Sequence, residues 1–170
     1  DATLVFDHFH IIKLFNEKLT KLRRDLQREA ENGLGKSVLT GIRWLLLKNP
    51  DNLDDTRNER QRLDEALKLN EPLATAYYMK EELRNIWHPP DKTSAQKALD
   101  EWVKKAAASD INMLKQFSKT IAAHRSGILA YFDFNGLSTG PLEGINNKIK
   151  TLHKMAYGFR DVEFFKLKIM

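Results

Sequence analysis

The sequence predicts a mainly helical fold with one or two short strands, and three observations predict it. Between residues 54 and 125 apolar side chains recur at the i, i+3, i+4 spacing of a helix face. Pro-containing breaks, Asn70-Glu71-Pro72 and His88-Pro89-Pro90, cut that stretch into helix-sized pieces. Only Ala2-Thr3-Leu4-Val5-Phe6 and Ile42-Arg43-Trp44-Leu45-Leu46-Leu47 read as short apolar strands.

In chain order, the opening strand is followed by Asp7-His8-Phe9-His10. Asp7 stands where open sheets place ligand-binding groups, at the end of a strand, and it also suits the N-cap of the next helix. His8 and His10 have the H-x-H spacing of a transition-metal pair, but no third ligand is near in sequence. A helix is expected from about Phe9 to Glu31, with Ile12, Phe15, Leu19, Leu22 and Leu26 along one stripe and Asn32-Gly33-Leu34-Gly35 ending it. Val38–Leu47 is ambiguous: Ile42–Leu47 fits a buried strand or a short helix, and the strand is favoured because Lys48-Asn49-Pro50-Asp51-Asn52 stops it sharply. Helices follow over Asp55–Leu69 and Pro72–Trp87. Thr93-x-x-Gln96 has the capping-box pattern for a third, carrying Leu99, Trp102, Val103 and Ala106. Ser109 is read as the cap of a fourth, with Ile111, Leu114, Phe117 and Ile121, and His124 as a packing side chain. Ser126 restarts a short helix through Phe132. Asp133-Phe134-Asn135-Gly136 turns into the next segment, Tyr157-Gly158-Phe159-Arg160 forms a glycine turn, and Asp161 caps a last helix.

The 170 residues suit one domain with a sizeable core. With 42% hydrophobic and 30% charged residues the chain is globular rather than disordered. No apolar run approaches the roughly 20 residues of a bilayer span, and no signal-peptide pattern is present, so no membrane partner is expected. The absence of cysteine excludes disulfides and thiolate metal sites and is compatible with a reducing cytoplasm. A net charge of +5 permits a nucleic-acid partner without demanding one. The buried strand directly after Asp1 has few candidate partners here, so a piece of a longer protein is expected, with neighbouring strands upstream.

The segment Leu137-Ser138-Thr139-Gly140-Pro141-Leu142-Glu143-Gly144-Ile145-Asn146-Asn147-Lys148-Ile149-Lys150 organises the rest. Pro141 suits the first position of a helix. On a helical wheel Glu143, Asn147, Lys150 and Lys154 share one stripe, opposite Leu142, Ile145, Ile149, Leu152 and Ala156. A carboxylate there can hold a hard cation such as Mg²⁺, and the amide and ammonium donors beyond it suit DNA phosphates. The same pattern is also ordinary complementation of a helix dipole. There is no internal repeat, Gly-rich phosphate loop or Ser-His-Asp pattern.

Two motifs carry a family resemblance. Val5-Phe6-Asp7-His8-Phe9-His10-Ile11-Ile12-Lys13 is one. The other is the Leu137–Lys150 segment, continued by Ala156-Tyr157-Gly158-Phe159-Arg160 and Phe164-Phe165. Together they resemble the bacterial DDE transposases of the insertion-sequence group called ISL-three, over essentially the whole chain. That resemblance implies the C-terminal part of an RNase H-like (α/β) catalytic core with a large all-helical insertion. Residues 1–50 would be partial core, 51–133 the insertion, and 134–170 the core helices that carry the catalytic Glu. Asp7 matches the family's second catalytic Asp and Glu143 its catalytic Glu, 143 − 7 = 136 positions apart. The first Asp would lie upstream. The family's upstream domains hold a zinc-binding segment and a helix-turn-helix.

The resemblance also implies a cofactor and partners. Three carboxylates hold two Mg²⁺ ions about 4 Å apart, and Mn²⁺ can substitute. Asn147, Lys148, Lys150, Lys154 and Arg160 would contact the DNA of transposon ends and target, with a homodimer assembled on that DNA in the bacterial cytoplasm, at the nucleoid. His153 stands where the family often has a basic residue, and Thr139 where it often has Asn. Competing readings are a helical scaffold or dimerisation module without chemistry, and DNA binding alone through the basic segment Lys148–Lys168.

Overall fold

The helical expectation holds. The computed structural model describes residues 4–30, 33–134 and 140–155, with the side chains of 34, 140–143 and 152–155 left out. It comprises two compact units, residues 1–135 and 136–170. No helix among the described residues is long and apolar enough to cross a membrane.

In the first unit, α1 (His8–Glu29) runs first and its Ile12, Phe15 and Leu19 are buried as the stripe requires. It ends at Glu29. Gly33-Leu34-Gly35, expected to end it, instead opens α2 (Gly33–Gly41). Buried Arg23 ties the two together by donating to the Leu39 carbonyl oxygen at 2.9 Å and to Gln27 Oε1 at 2.9 Å. Two single 3-10 turns, Pro50–Asn52 and Asp55–Arg57, lead to α3 (Glu59–Leu69), and α4 (Glu71–Asn85) follows. α5 (Lys92–Ala108) and α6 (Asn112–Ala123) form a closely packed pair, with α7 (Arg125–Ala130) crossing their ends. α1 lies against α2, α4 and α6. The second unit contains α8 (Gly140–Met155).

The strand favoured for residues 42–47 needs correction, and of the opening run Ala2 and Thr3 lie outside the described residues. No strand occurs among the described residues. Of the opening run, residues 4–6 form no ladder: a strand needs a second strand to take its backbone bonds. The Phe6 N–H is taken instead by the Gly127 carbonyl oxygen at 3.0 Å. Residues 42–47 are helical turns, with Leu46 N–H bonded to Ile42 O at 3.0 Å and Lys48 N–H to Trp44 O at 3.1 Å. Ile42, Leu45 and Leu46 are buried, whereas Arg43 and Trp44 face solvent. That is the i, i+3, i+4 spacing of a helix, not the alternation of a strand.

Two caps also differ. α5 is capped by Asp91, whose carboxylate accepts from Ser94 N–H at 2.8 Å and Ser94 Oγ at 2.7 Å, so Thr93 lies inside the helix. Those bonds hold the Asp91 carboxyl below its usual range, the Ser94 hydroxyl contributing most. Ser109 closes α5 rather than opening α6. Its N–H bonds to Lys105 O at 3.1 Å and its hydroxyl to Ala106 O at 2.8 Å. The Asp133 turn begins as expected, whereas the expected Tyr157–Arg160 turn and the helix capped by Asp161 lie outside the described residues.

A fully buried cation also ties the core together. Lys80, on α4, is 0% exposed. Its ammonium donates to the Leu46 carbonyl oxygen at 2.5 Å, pairs with Glu81 Oε1 at 2.8 Å and lies 4.6 Å from the Tyr77 ring centre. Burial lowers its pKa, and the Glu81 contact opposes that. Lys80 thereby pins the 42–47 turns onto α4.

Candidate active site at the head of the first helix

Asp7 is buried, 3% exposed, and occupies the N-cap of α1 with extended backbone angles of −80° and 163°. Its Oδ1 accepts from the His10 N–H at 3.1 Å and from the His10 ring Nδ1 at 2.7 Å. Ser, Thr, Asp and Asn favour this position because their side-chain oxygens satisfy a helix donor that has no partner within the helix. The imidazole bond does more than cap: it fixes the carboxylate's orientation from the side. Of the two sequence readings of Asp7, the helix cap is the one these contacts display.

The segment before Asp7 is held by α7. Besides the Phe6–Gly127 backbone bond, the Phe6 ring meets the His124 ring edge-on at 5.0 Å. His124 thus packs on Phe6 while staying exposed on its other side. Gly127 is what lets the segment approach. A Cβ there would lie 2.6 Å from Phe6 Cδ2 and 3.0 Å from the Leu4 carbonyl oxygen. Gly127→Ala is therefore expected to destabilise the chain by about 1–3 kcal/mol, as over-packing does. A urea midpoint unchanged from the parent would refute this close-approach role. Sequence reasoning missed Gly127, although an isolated glycine inside a helical pattern is a recognised mark of a packing constraint.

On α8, Asn147, Lys148 and Lys150 are exposed, and Asn147 and Lys150 stand three residues apart on one stripe. Glu143 lies in the first turn of this helix and Lys154 near its end, but their side chains are outside the described residues, as is all of Arg160. Asp7 belongs to the first unit and Glu143 to the second. Among the described residues no group of three or more His, Cys, Asp or Glu side chains could hold a metal ion. His8 and His10 gain no third ligand there.

Known proteins match along nearly the whole chain. A family model described as Transposase, of the ISL3 type of DDE transposases, covers residues 1–169. The transposase for insertion sequence element IS1001 of Bordetella parapertussis is 38% identical over 170 residues, 99% of this chain and 41% of that protein. The transposase for insertion sequence element IS1557 of Mycobacterium tuberculosis is 36% identical over 182 aligned residues, 94% of this chain and 40% of that protein. The chain thus spans about two fifths of the length of the curated relatives it matches. No solved structure matches it significantly. The match across residues 1–169 includes both the Asp7 and the Glu143 motifs, and the chain belongs to the ISL3 family of insertion-sequence transposases.

Proposed function

We propose that this chain is part of an enzyme that cuts and joins DNA by metal-dependent phosphodiester transfer during transposition. The observation that carries this reading is the match to transposases along residues 1–169, with a buried, hydrogen-bonded carboxylate at position 7. In this reading residues 1–50 and 134–170 belong to an RNase H-like core whose strands and first catalytic Asp come from the rest of the protein. Residues 51–133 are its helical insertion. The enzyme works as a homodimer on transposon-end and target DNA, in the bacterial cytoplasm at the nucleoid.

Asp7 and Glu143 are the residues that would hold Mg²⁺. The donor chemistry fits, since both offer only carboxylate oxygens and Mg²⁺ prefers oxygen ligands. When bound, Mg²⁺ supplies charge neutralisation at the phosphodiester. The chain's own work is positioning, which supplies most of the effect in phosphoryl transfer together with electrostatics. His10 orients the Asp7 carboxylate, and the Phe6–Gly127 contact fixes the segment leading to it. Asn147, Lys148, Lys150, Lys154 and Arg160 bind and orient the DNA backbone.

The direct test replaces Asp7 or Glu143 in the longer enzyme and measures strand transfer. The 170 residues alone lack one carboxylate of the set, so they should not cleave DNA with Mg²⁺, and cleavage would overturn the assignment. Lys150→Ala in the longer enzyme should weaken DNA binding similarly across sequences and reduce the slope of log K against log salt by about one. An unchanged salt titration would remove Lys150 from the interface.

A further inference from the structure

We propose that an arginine cluster around the end of α2 holds phosphates of the duplex DNA at a distance from the reacting bond. The inference rests on the DNA-transfer reading above and adds a binding site to it. Arg23, on α1, donates to the Leu39 carbonyl oxygen at 2.9 Å, and Arg62, on α3, donates to the Gly41 carbonyl oxygen at 3.1 Å. Two guanidiniums thus meet the carbonyl end of one short helix, where the helix dipole is negative. That duty accounts for Arg23 and Arg62. It leaves Arg24, beside Arg23, and Arg43, two residues past α2, both exposed.

Three features select the ligand class. First, positive charge gathers there without an acid. Arg23 is 5% exposed; burial lowers its pKa, and the charges of Arg24 and Arg43 lower it further. Among the described residues no carboxylate pairs with Arg23, Arg24, Arg43 or Arg62. Like charges held this close are unfavourable until an anion joins them. Second, Arg43 is pre-oriented. Its guanidinium carbon lies 4.5 Å from the centre of the Trp44 ring, and Trp44 is 65% exposed. Stacking uses the face of the guanidinium and leaves its N–H edge for the paired oxygens of a phosphate. Third, a basic track runs from this cluster back toward Asp7. Lys13, Lys21 and Arg24 are exposed and fall within about 80° of one another around α1, with Glu17 between them. Arg24 stands 24 − 7 = 17 positions beyond Asp7. At the rise of a helix that is about 25 Å, roughly seven steps of one DNA strand. A duplex lying along α1 would therefore reach the carboxylate and the arginines together, which is what selects DNA over an acidic protein segment.

Fluorescence anisotropy of a labelled duplex long enough to span that distance, titrated with the 170-residue chain at several salt concentrations, tests this. Arg24→Gln and Arg43→Gln should each flatten the slope of log K against log salt by about one, and the double variant by about two, whatever the DNA sequence. In the unaltered chain, phenylglyoxal should modify Arg24 and Arg43, and saturating duplex should protect both, as read by mass spectrometry of the peptides. That second measurement needs no variant, so it stands even where a substitution harms folding. An unchanged slope in the double variant, equal modification with and without duplex, or no saturable binding of the duplex would overturn the arginine site. Polyglutamate binding that depends on Arg24 and Arg43, with the DNA slope unchanged, would overturn it in favour of an acidic protein partner. Loss of the arginine site with strand transfer by the longer enzyme still abolished by Asp7→Asn would leave the parent reading intact. Full strand transfer in that Asp7 variant would remove the parent reading instead.

Discussion

Asp7→Asn and Glu143→Gln are each expected to lower strand transfer by the longer enzyme about a thousandfold or more, roughly 4 kcal/mol of lost transition-state stabilisation. DNA affinity should change only a few-fold, because the DNA contacts assigned to α8 are separate groups. The choice of amides is what makes the test sharp. Asp7 has a structural duty, since its Oδ1 accepts from the His10 N–H that opens α1. Alanine at position 7 would remove that cap and cost about 1 kcal/mol of stability, blurring the result. Asparagine caps a helix as well as aspartate does, but carries no charge to offer a divalent cation. A protein that melts like the parent and transfers no strand separates the two duties. Retained transfer in Asp7→Asn would reduce Asp7 to a cap, and the catalytic assignment would fall with it. The Glu143→Gln arm checks the same idea from the second unit.

How much of this was legible in the sequence depends on how local the cause is. The α1 stripe was readable because Ile12, Phe15 and Leu19 repeat within three turns of one helix, and all three are buried. The helix breaks at Pro72 and at Pro89-Pro90 were readable because proline acts on its own neighbours. Asp7 was readable as a cap and as a motif residue. Residues 42–47 were open to strand or short helix, and the sharp stop at Pro50 favoured the wrong one over the spacing of Ile42, Leu45 and Leu46, which points to helical turns. Ser109 and Thr93 were misread as N-caps because several residues near each boundary could cap, and the choice rests on where the previous element releases the chain. Lys80 was illegible. A lysine among helix residues reads as exposed, and the carbonyl that buries it belongs to Leu46, 34 residues away.

The second large effect concerns the core that anchors α1. Phe15 is 0% exposed and sits where α1 meets α5 and α6. Its ring meets Phe117 edge-on at 5.0 Å and Trp102 at 6.2 Å, and those two rings stand 6.0 Å apart, also edge-on. Edge-to-face pairs add to the burial they accompany. Trp102 in turn donates its indole N–H to the Met79 carbonyl oxygen at 2.7 Å, which ties the cluster to α4. Phe15→Ala should therefore cost about 3–5 kcal/mol, because the removed ring leaves a cavity that three fixed helices cannot close. Chemical denaturation of the 170-residue chain would show this as a large fall in midpoint. Phe15→Leu fills most of the volume but loses the edge contacts, so it should fall between the two. If alanine and leucine lowered stability equally, the ring geometry rather than the cavity would dominate. If neither did, α1 would not be anchored at Phe15, and Asp7 at its head would need a different fulcrum.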